Sequence, residues 1–113
     1  MARMSRTKGK VGEREVAALL REHGFDGARG VQYQGGPESP DVIGLPGFHV
    51  EVKRVEAFRL YEALEQAKGE RKPGDIPAVF HRPNMRPWVV VLEASDFLSL
   101  VRAAGIVPKE DAA

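Results

Sequence analysis

Asp41, Glu51 and Lys53 are the residues of this chain with the plainest claim to chemistry. Phe48-His49-Val50-Glu51-Val52-Lys53 reads as a strand. Side chains alternate between the faces of a strand, so Glu51 and Lys53 share one face, while Phe48, Val50 and Val52 form an apolar face opposite. A carboxylate and an amine are thus held side by side on a rigid element. Asp41, in Ser39-Pro40-Asp41-Val42-Ile43, adds a second carboxylate one short turn upstream. The arrangement suits a divalent cation and a phosphate ester. Splitting a phosphodiester takes a hard cation to acidify the attacking water, acids to hold that cation, and positive charge to offset the charge that builds on the phosphate. Mg2+ prefers a few carboxylates and keeps several waters. Asp41 and Glu51 supply two, the backbone carbonyl of Val52 could be a third ligand, and Lys53 falls beside the water. Base, water positioner and charge stabiliser are all open roles for Lys53.

Singly, each residue has a plainer explanation. Asp after Pro is common turn chemistry, and Glu51 with Lys53 could be a charge pair on a solvated strand. Together these explanations weaken. The strand is too apolar on its other face for a solvated edge, and burying charges under a covering helix is costly without a function.

The elements that must position these groups follow from pattern. From about Lys10 to His23 the periodicity is helical, with Val16, Leu19 and Leu20 on one face and Ala17 near its edge. Gly24 reads as its C-cap, with Phe25 packing back on the last turn. Strands are expected over 28–34, 41–44 and 48–55, the last of these central. A helix from Phe58 to about Gly69 carries Leu60, Tyr61, Leu64 and Ala67. A strand over 77–81 follows, then Trp88 to Leu92 as a strand buried on both faces. Ser95 is the expected N-cap of a last helix through Ala104, with Phe97, Leu98 and Val101 inward. The order, αβββαββα, predicts a single-domain α/β fold with a mixed sheet of roughly five strands flanked by helices.

With 113 residues, 42% of them hydrophobic and 29% charged, the chain has the size and composition of one globular domain. It has no cysteine, which excludes disulfides, thiolate metal sites and cysteine nucleophiles. It has no apolar run of the ~20 residues that span a membrane, and no hydrophobic signal core. The expectation is a cytoplasmic protein of a bacterial, archaeal or phage-infected cell, with no membrane partner. The net charge of +1 hides an asymmetry: Arg3, Arg6, Lys8 and Lys10 precede any acid, and Arg14 follows soon after. Residues 1–8 read as a flexible basic arm, which contacts phosphates or is simply solvated. Residues 9–107 read as the folded domain and 108–113 as a flexible, mildly acidic tail.

The three histidines, His23, His49 and His81, lack the spacing of a zinc site. His49 lies on the Glu51/Lys53 face and reads as a packed or solvent-touching strand residue. Trp88 and Phe80 read as core, or for Trp88 interface. The aromatic content of 7% offers little for a multi-base stacking platform.

Pro40-Asp41, then Glu51-Val52-Lys53, resembles the PD-(D/E)XK nuclease signature, with Val52 at the variable position. Two flanking stretches sharpen the likeness. Lys8-Gly9-Lys10-Val11-Gly12-Glu13-Arg14-Glu15-Val16 resembles the first helix of archaeal-type (Hjc-like) Holliday junction resolvases. Gly35-Gly36-Pro37-Glu38-Ser39-Pro40-Asp41 resembles their small-residue loop before the metal-binding Asp. The match covers roughly residues 8 to 92, and phage resolvases of this size look similar. The resemblance implies a restriction-endonuclease-like fold. It implies Glu13 as an acid that contacts the metal or a metal-bound water, Asp41 and Glu51 as metal ligands, and Lys53 as the catalytic lysine. It implies Ser39 beside the scissile phosphate and Gln66 beside the site. Lys8, Lys10, Arg14, Arg29 and Arg54 are candidate phosphate contacts. For Glu13 a helix-surface ion pair, for Ser39 a turn role and for Gln66 a solvated position are the ordinary alternatives.

The expected function is a Mg2+-dependent endonuclease, with Mn2+ able to substitute, acting on four-way or other branched DNA as a homodimer. A two-fold pair of sites would match a two-fold junction. The rivals are a phage or restriction-type nuclease on duplex or flap DNA, and a non-catalytic DNA-binding module with a nuclease-like fold.

Overall fold

A computed structural model describes residues 2–30 and 40–106, with side chains from Gly9 onward. Helix α1 (Ala2–Glu22) is followed by strands β1 (Ala28–Arg29), β2 (Val42–Ile43) and β3 (Phe48–Lys53). Then come α2 (Leu60–Glu70), β4 (Ile76–His81), β5 (Val89–Val91) and α3 (Ala94–Ala103). The five strands lie in chain order across one sheet, with β3 at its centre. Neighbours are antiparallel except β3 and β4, which run parallel and are joined through α2. This is a mixed α/β sheet, consistent with a restriction-endonuclease-like fold.

Alternation along β3 and β4 divides the sheet into two faces. Val50 and Val52 pair with Ala78 and Phe80. With Val42 they bury against Val16, Ala17 and Leu20 of α1, and Phe48, Leu45, Trp88 and Leu92 pack around the edge. On the opposite face Glu51 pairs with Val79. There Val79 packs with Ala63, Leu64 and Ala67 of α2, flanked by Phe58 and Val91. Val16, Val42, Val50, Val79 and Ala67 are all within 1% of complete burial.

Close approach has a sequence cause. A Cβ at Gly12 would sit 2.8 Å from Arg54 Cβ and 3.2 Å from Val52 Cγ1, so this glycine lets α1 lie down on the end of β3. At Gly44, with φ +103°, a Cβ would collide with Asp26 O. The α1 terminus is a Schellman cap. Gly24 adopts φ +90°, its N–H donates to Arg21 O, and Phe25 N–H donates to Leu20 O.

Several expectations are corrected. Helix α1 starts at Ala2, not near Lys10, so residues assigned to a flexible arm have helical backbone. No proline interrupts them, and Ala, Arg, Met and Lys are strong helix formers. The β1 strand covers only Ala28–Arg29; the remainder of its expected span, Val31–Gln34, lies outside the described residues, as does the tail over 108–113. β5 is an edge strand, with Val89 and Val90 49% and 48% exposed. An unbroken apolar run cannot distinguish a two-sided strand from an edge awaiting cover. α3 begins at Ala94 with Glu93 at its N-cap, not Ser95, and there is no side-chain cap. Phe97 and Leu98, expected inward, are exposed, and no α3 residue is buried. In α2 the buried set is Ala63, Leu64 and Ala67, while Tyr61 points to solvent.

Candidate active site

The polar face of β3 lies under α2. His49 and Glu51 are both 2% exposed, and His49 Nε2 is 2.8 Å from Glu51 Oε1. These two groups share a proton whose position follows the protonation state. Glu70, near the end of α2, brings Oε2 to 3.9 Å from His49 Nε2. One turn earlier on the same helix face, Gln66 Nε2 donates to Glu70 Oε1 at 3.4 Å. Gln66 Oε1 in turn accepts from Lys53 Nζ at 3.2 Å. On the other side, Asp41 Oδ2 accepts from the Val52 N–H at 2.8 Å, which fixes this carboxylate beside β3. Asp41 N–H donates to Val50 O, so the loop residue is tied to β3 twice.

A continuous contact chain therefore runs from Lys53 through Gln66, Glu70 and His49 to Glu51. The electrostatics brings Asp41 into it. Burial pushes the Glu51 carboxyl up to about 10, helped by the neighbouring Asp41 charge and by hydrogen bonding to Glu70 and Asp41. Burial also holds His49 below its ordinary 6.5, against the pull of Glu70, Asp41 and Asp75. Three carboxyl groups, Asp41, Glu70 and the buried Glu51, meet here, and Lys53 bonds the Gln66 amide in place of an acid. That donor set fits a divalent cation. Ligand atoms of His49, Glu51 and Glu70 lie within 4.8 Å of one another, and Asp41 adjoins Glu51.

The other site expectations fall into three groups. Glu13, 17% exposed, pairs with Arg29 at 2.9 Å, which ties α1 to β1. Arg54 is turned inward: its side chain is 12% exposed, and it donates to Arg82 O at 3.3 Å and Asn84 Oδ1 at 3.0 Å. It braces the loop before β5 and does not reach outward to a phosphate. Lys10 and Arg14 are exposed on α1. The Lys8 side chain and Ser39 lie outside the described residues.

Sequence reasoning missed Glu70 and underused His49. His49 carried a signal, sitting at i−2 from Glu51 on the same strand face, whereas Glu70 carried none that separates it from any other helix acid. Glu15 was missed too. It accepts from Arg82 Nη1 at 2.7 Å and Trp88 Nε1 at 2.9 Å, and so locks α1 to the approach to β5.

The site thus joins a loop acid, a strand acid with a lysine two residues on, and polar groups from the crossover helix. Comparison with curated proteins and with solved structures returned no significant match. A family model described as "Archaeal holliday junction resolvase (hjc)" matches residues 4–91, which take in α1, the whole sheet and every group in the contact chain. On that match and this fold, the chain belongs to the archaeal Holliday junction resolvase (Hjc) family, a PD-(D/E)XK-type nuclease family.

Proposed function

We propose that this protein is a divalent-metal-dependent endonuclease that cuts four-way DNA junctions as a homodimer. The carrying observation is the buried convergence of Asp41 and Glu51 beside the Lys53–Gln66 pair, in a chain of this family. Asp41, Glu51 and the Val52 carbonyl would hold Mg2+, or Mn2+ in its place, with Glu13 acting through water. The ion, when bound, acidifies a water and offsets phosphate charge. The protein's own groups do the rest. The Val52 N–H holds the Asp41 carboxylate in place, and His49 holds Glu51. Lys53, seated on Gln66, orients its ammonium toward the developing charge. Lys8, Lys10, Arg14, Arg29 and Ser39 are the proposed phosphate contacts, with Gln66 at the cut site.

The dimer has a surface to support it. Val89 and Val90 on the β5 edge, with Phe97 and Leu98 on α3, form exposed apolar surface. An edge strand leaves backbone groups unpaired, and a second copy across a two-fold axis satisfies both needs at once.

The test is cleavage of a synthetic four-way junction and a matched duplex, with Mg2+ or chelator. Asp41→Asn and Lys53→Ala should lose cutting by ~10²–10³-fold, on the scale of losing a preorganised electrostatic group, while junction binding survives. Normal cutting by both variants would remove these residues from the site. Equal cutting of plain duplex would transfer the proposal to a duplex nuclease. Leu98→Glu should yield monomer by sedimentation; an unaltered dimer would place the interface elsewhere.

A further inference from the structure

Beside the proposed metal position lies a cleft that shares Lys53 and Gln66 with the hydrolysis but whose remaining walls the hydrolysis does not use. Lys53 and Gln66 line one side of a cleft of about 250 Å³. Phe58, Val55, Ala57 and buried Ala63 supply apolar walls, and Arg59 and Glu62 stand on the rim. The wall is braced. Phe58 stacks on His81 with ring centroids 3.9 Å apart and planes 15° from parallel. His81 Nε2 is also hydrogen-bonded to Val55 O at 3.0 Å. The segment between β3 and α2 is therefore fixed by the end of β4 before any ligand arrives.

We infer that this cleft takes one unstacked nucleobase of the DNA, the base next to the scissile phosphate. The inference rests on the proposed nuclease reading, because it is the phosphate beside Lys53 that brings the neighbouring nucleoside here. Size supports it: the cleft falls below the ~300–1,000 Å³ of drug-sized ligand sites, on the scale of a single nucleotide. Chemistry supports it as well. Phe58 lines the cleft with one ring face taken by His81, so a base would meet its remaining surface, which any base can use. Lys53 and Arg59 answer the flanking phosphates, and Gln66 with Glu62 can meet the polar edge of a base. Arg59 is 83% exposed and paired with Glu62 at 3.4 Å, an exposed pair that costs little to open.

The consequence is a physical basis for preferring branched DNA. Extruding a base from duplex costs a few kcal/mol, least where the base has already lost partners. At an open branch point a base pair has lost a stacking neighbour on one side, whereas in continuous duplex every pair is stacked on both. The single aromatic wall suffices because one base is captured, not a run.

The experiment places 2-aminopurine at each central nucleotide of a four-way junction in turn, bound to Asp41→Asn protein. One position should brighten severalfold on binding, and Ala57→Trp, which fills the cleft from an exposed position, should return it to baseline. Phe58→Leu keeps an apolar side chain against the core and removes the ring. It should weaken junction binding on the order of tenfold, the loss of one base–aromatic stack. No response at any position, or an unchanged response in Ala57→Trp, overturns the inference. Junction cutting by the wild type is read separately. A chain that cuts only duplex would unseat the proposed substrate, and the same scan across the duplex cut site would decide the cleft.

Discussion

The two faces of β3 have opposite characters. Toward α1, Val50 and Val52 sit in a dry cluster with Val42, Ala78 and Phe80. Toward α2, His49, Glu51 and Lys53 sit in a polar chain that ends at Asp41. One strand with a two-residue alternation thus serves as core on one side and as a site on the other. The contrast teaches that the dry face does the anchoring. Glu51 sits 98% buried as a neutral acid, its carboxyl pushed up by burial and hydrogen-bonded to His49, on a strand that Val50 and Val52 anchor from the other face. A carboxylic acid in that setting would release its proton to solvent when a divalent cation takes the proton's place.

The largest expected effect is on the polar face. Glu51→Gln should abolish cutting, yet it should not cost stability in the metal-free protein near neutral pH. The folded state holds a Glu51 proton that the unfolded chain releases above about 4.5, since folding moves that carboxyl up to about 10. Its contribution is complete below the unfolded value and is lost as pH rises through the folded one. Metal-free wild type should therefore melt at falling temperature between those limits, and Glu51→Gln should flatten the slope. Added divalent ion should restore the wild type at alkaline pH. His49 acts in the opposite sense: its pKa is lowered by burial, so its share is lost as pH falls below 6.5. A calorimetric pH series on both proteins reads the difference, and parallel slopes would show that Glu51 is not buried as a neutral acid.

Next in size is the dry face. Phe80→Ala should lower unfolding free energy by about 3–5 kcal/mol, the cost of emptying a packed aromatic site. The molecules that remain folded should still cut, since Phe80 points away from the acids. A loss of cutting beyond the unfolded fraction in a denaturant-monitored assay would mean that the faces are coupled.

A smaller effect is expected at His49. His49→Ala should weaken divalent-ion affinity about 10- to 100-fold, the range for a lost partner of a metal ligand. Glu70→Gln should have the same direction and less size, because Glu70 stands 3.9 Å from His49. Titration calorimetry with Mn2+ measures both, and wild-type affinity in His49→Ala would reduce that residue to packing. Smallest is Lys10→Ala on α1, a few-fold loss of junction affinity with the salt slope falling by about one unit. Gel shifts over a salt series read it, and an unchanged slope would remove Lys10 from the DNA surface.

Much of this was legible because it is periodic. The alternation in β3 placed Val50 and Val52 opposite Glu51 and Lys53, and Gly24 marked the α1 terminus, because strand and cap geometries act over a few residues. Gln66 was found by likeness, while Glu70 one turn on was not, since nothing local distinguishes a helix acid that faces a strand from one that faces water. Arg54 and Arg29 read alike as surface cations; only the fold turned the first toward Arg82 and Asn84 and the second toward Glu13.

By itself the sequence determined the order of elements, the central strand and which of its residues share a face, because backbone periodicity is a local property. Tertiary structure alone decided that β5 lies at an edge. It alone set the last helix outward and joined His49 to Glu51 and Glu70. Those outcomes depend on which distant surfaces meet, and no single stretch of chain encodes such a meeting.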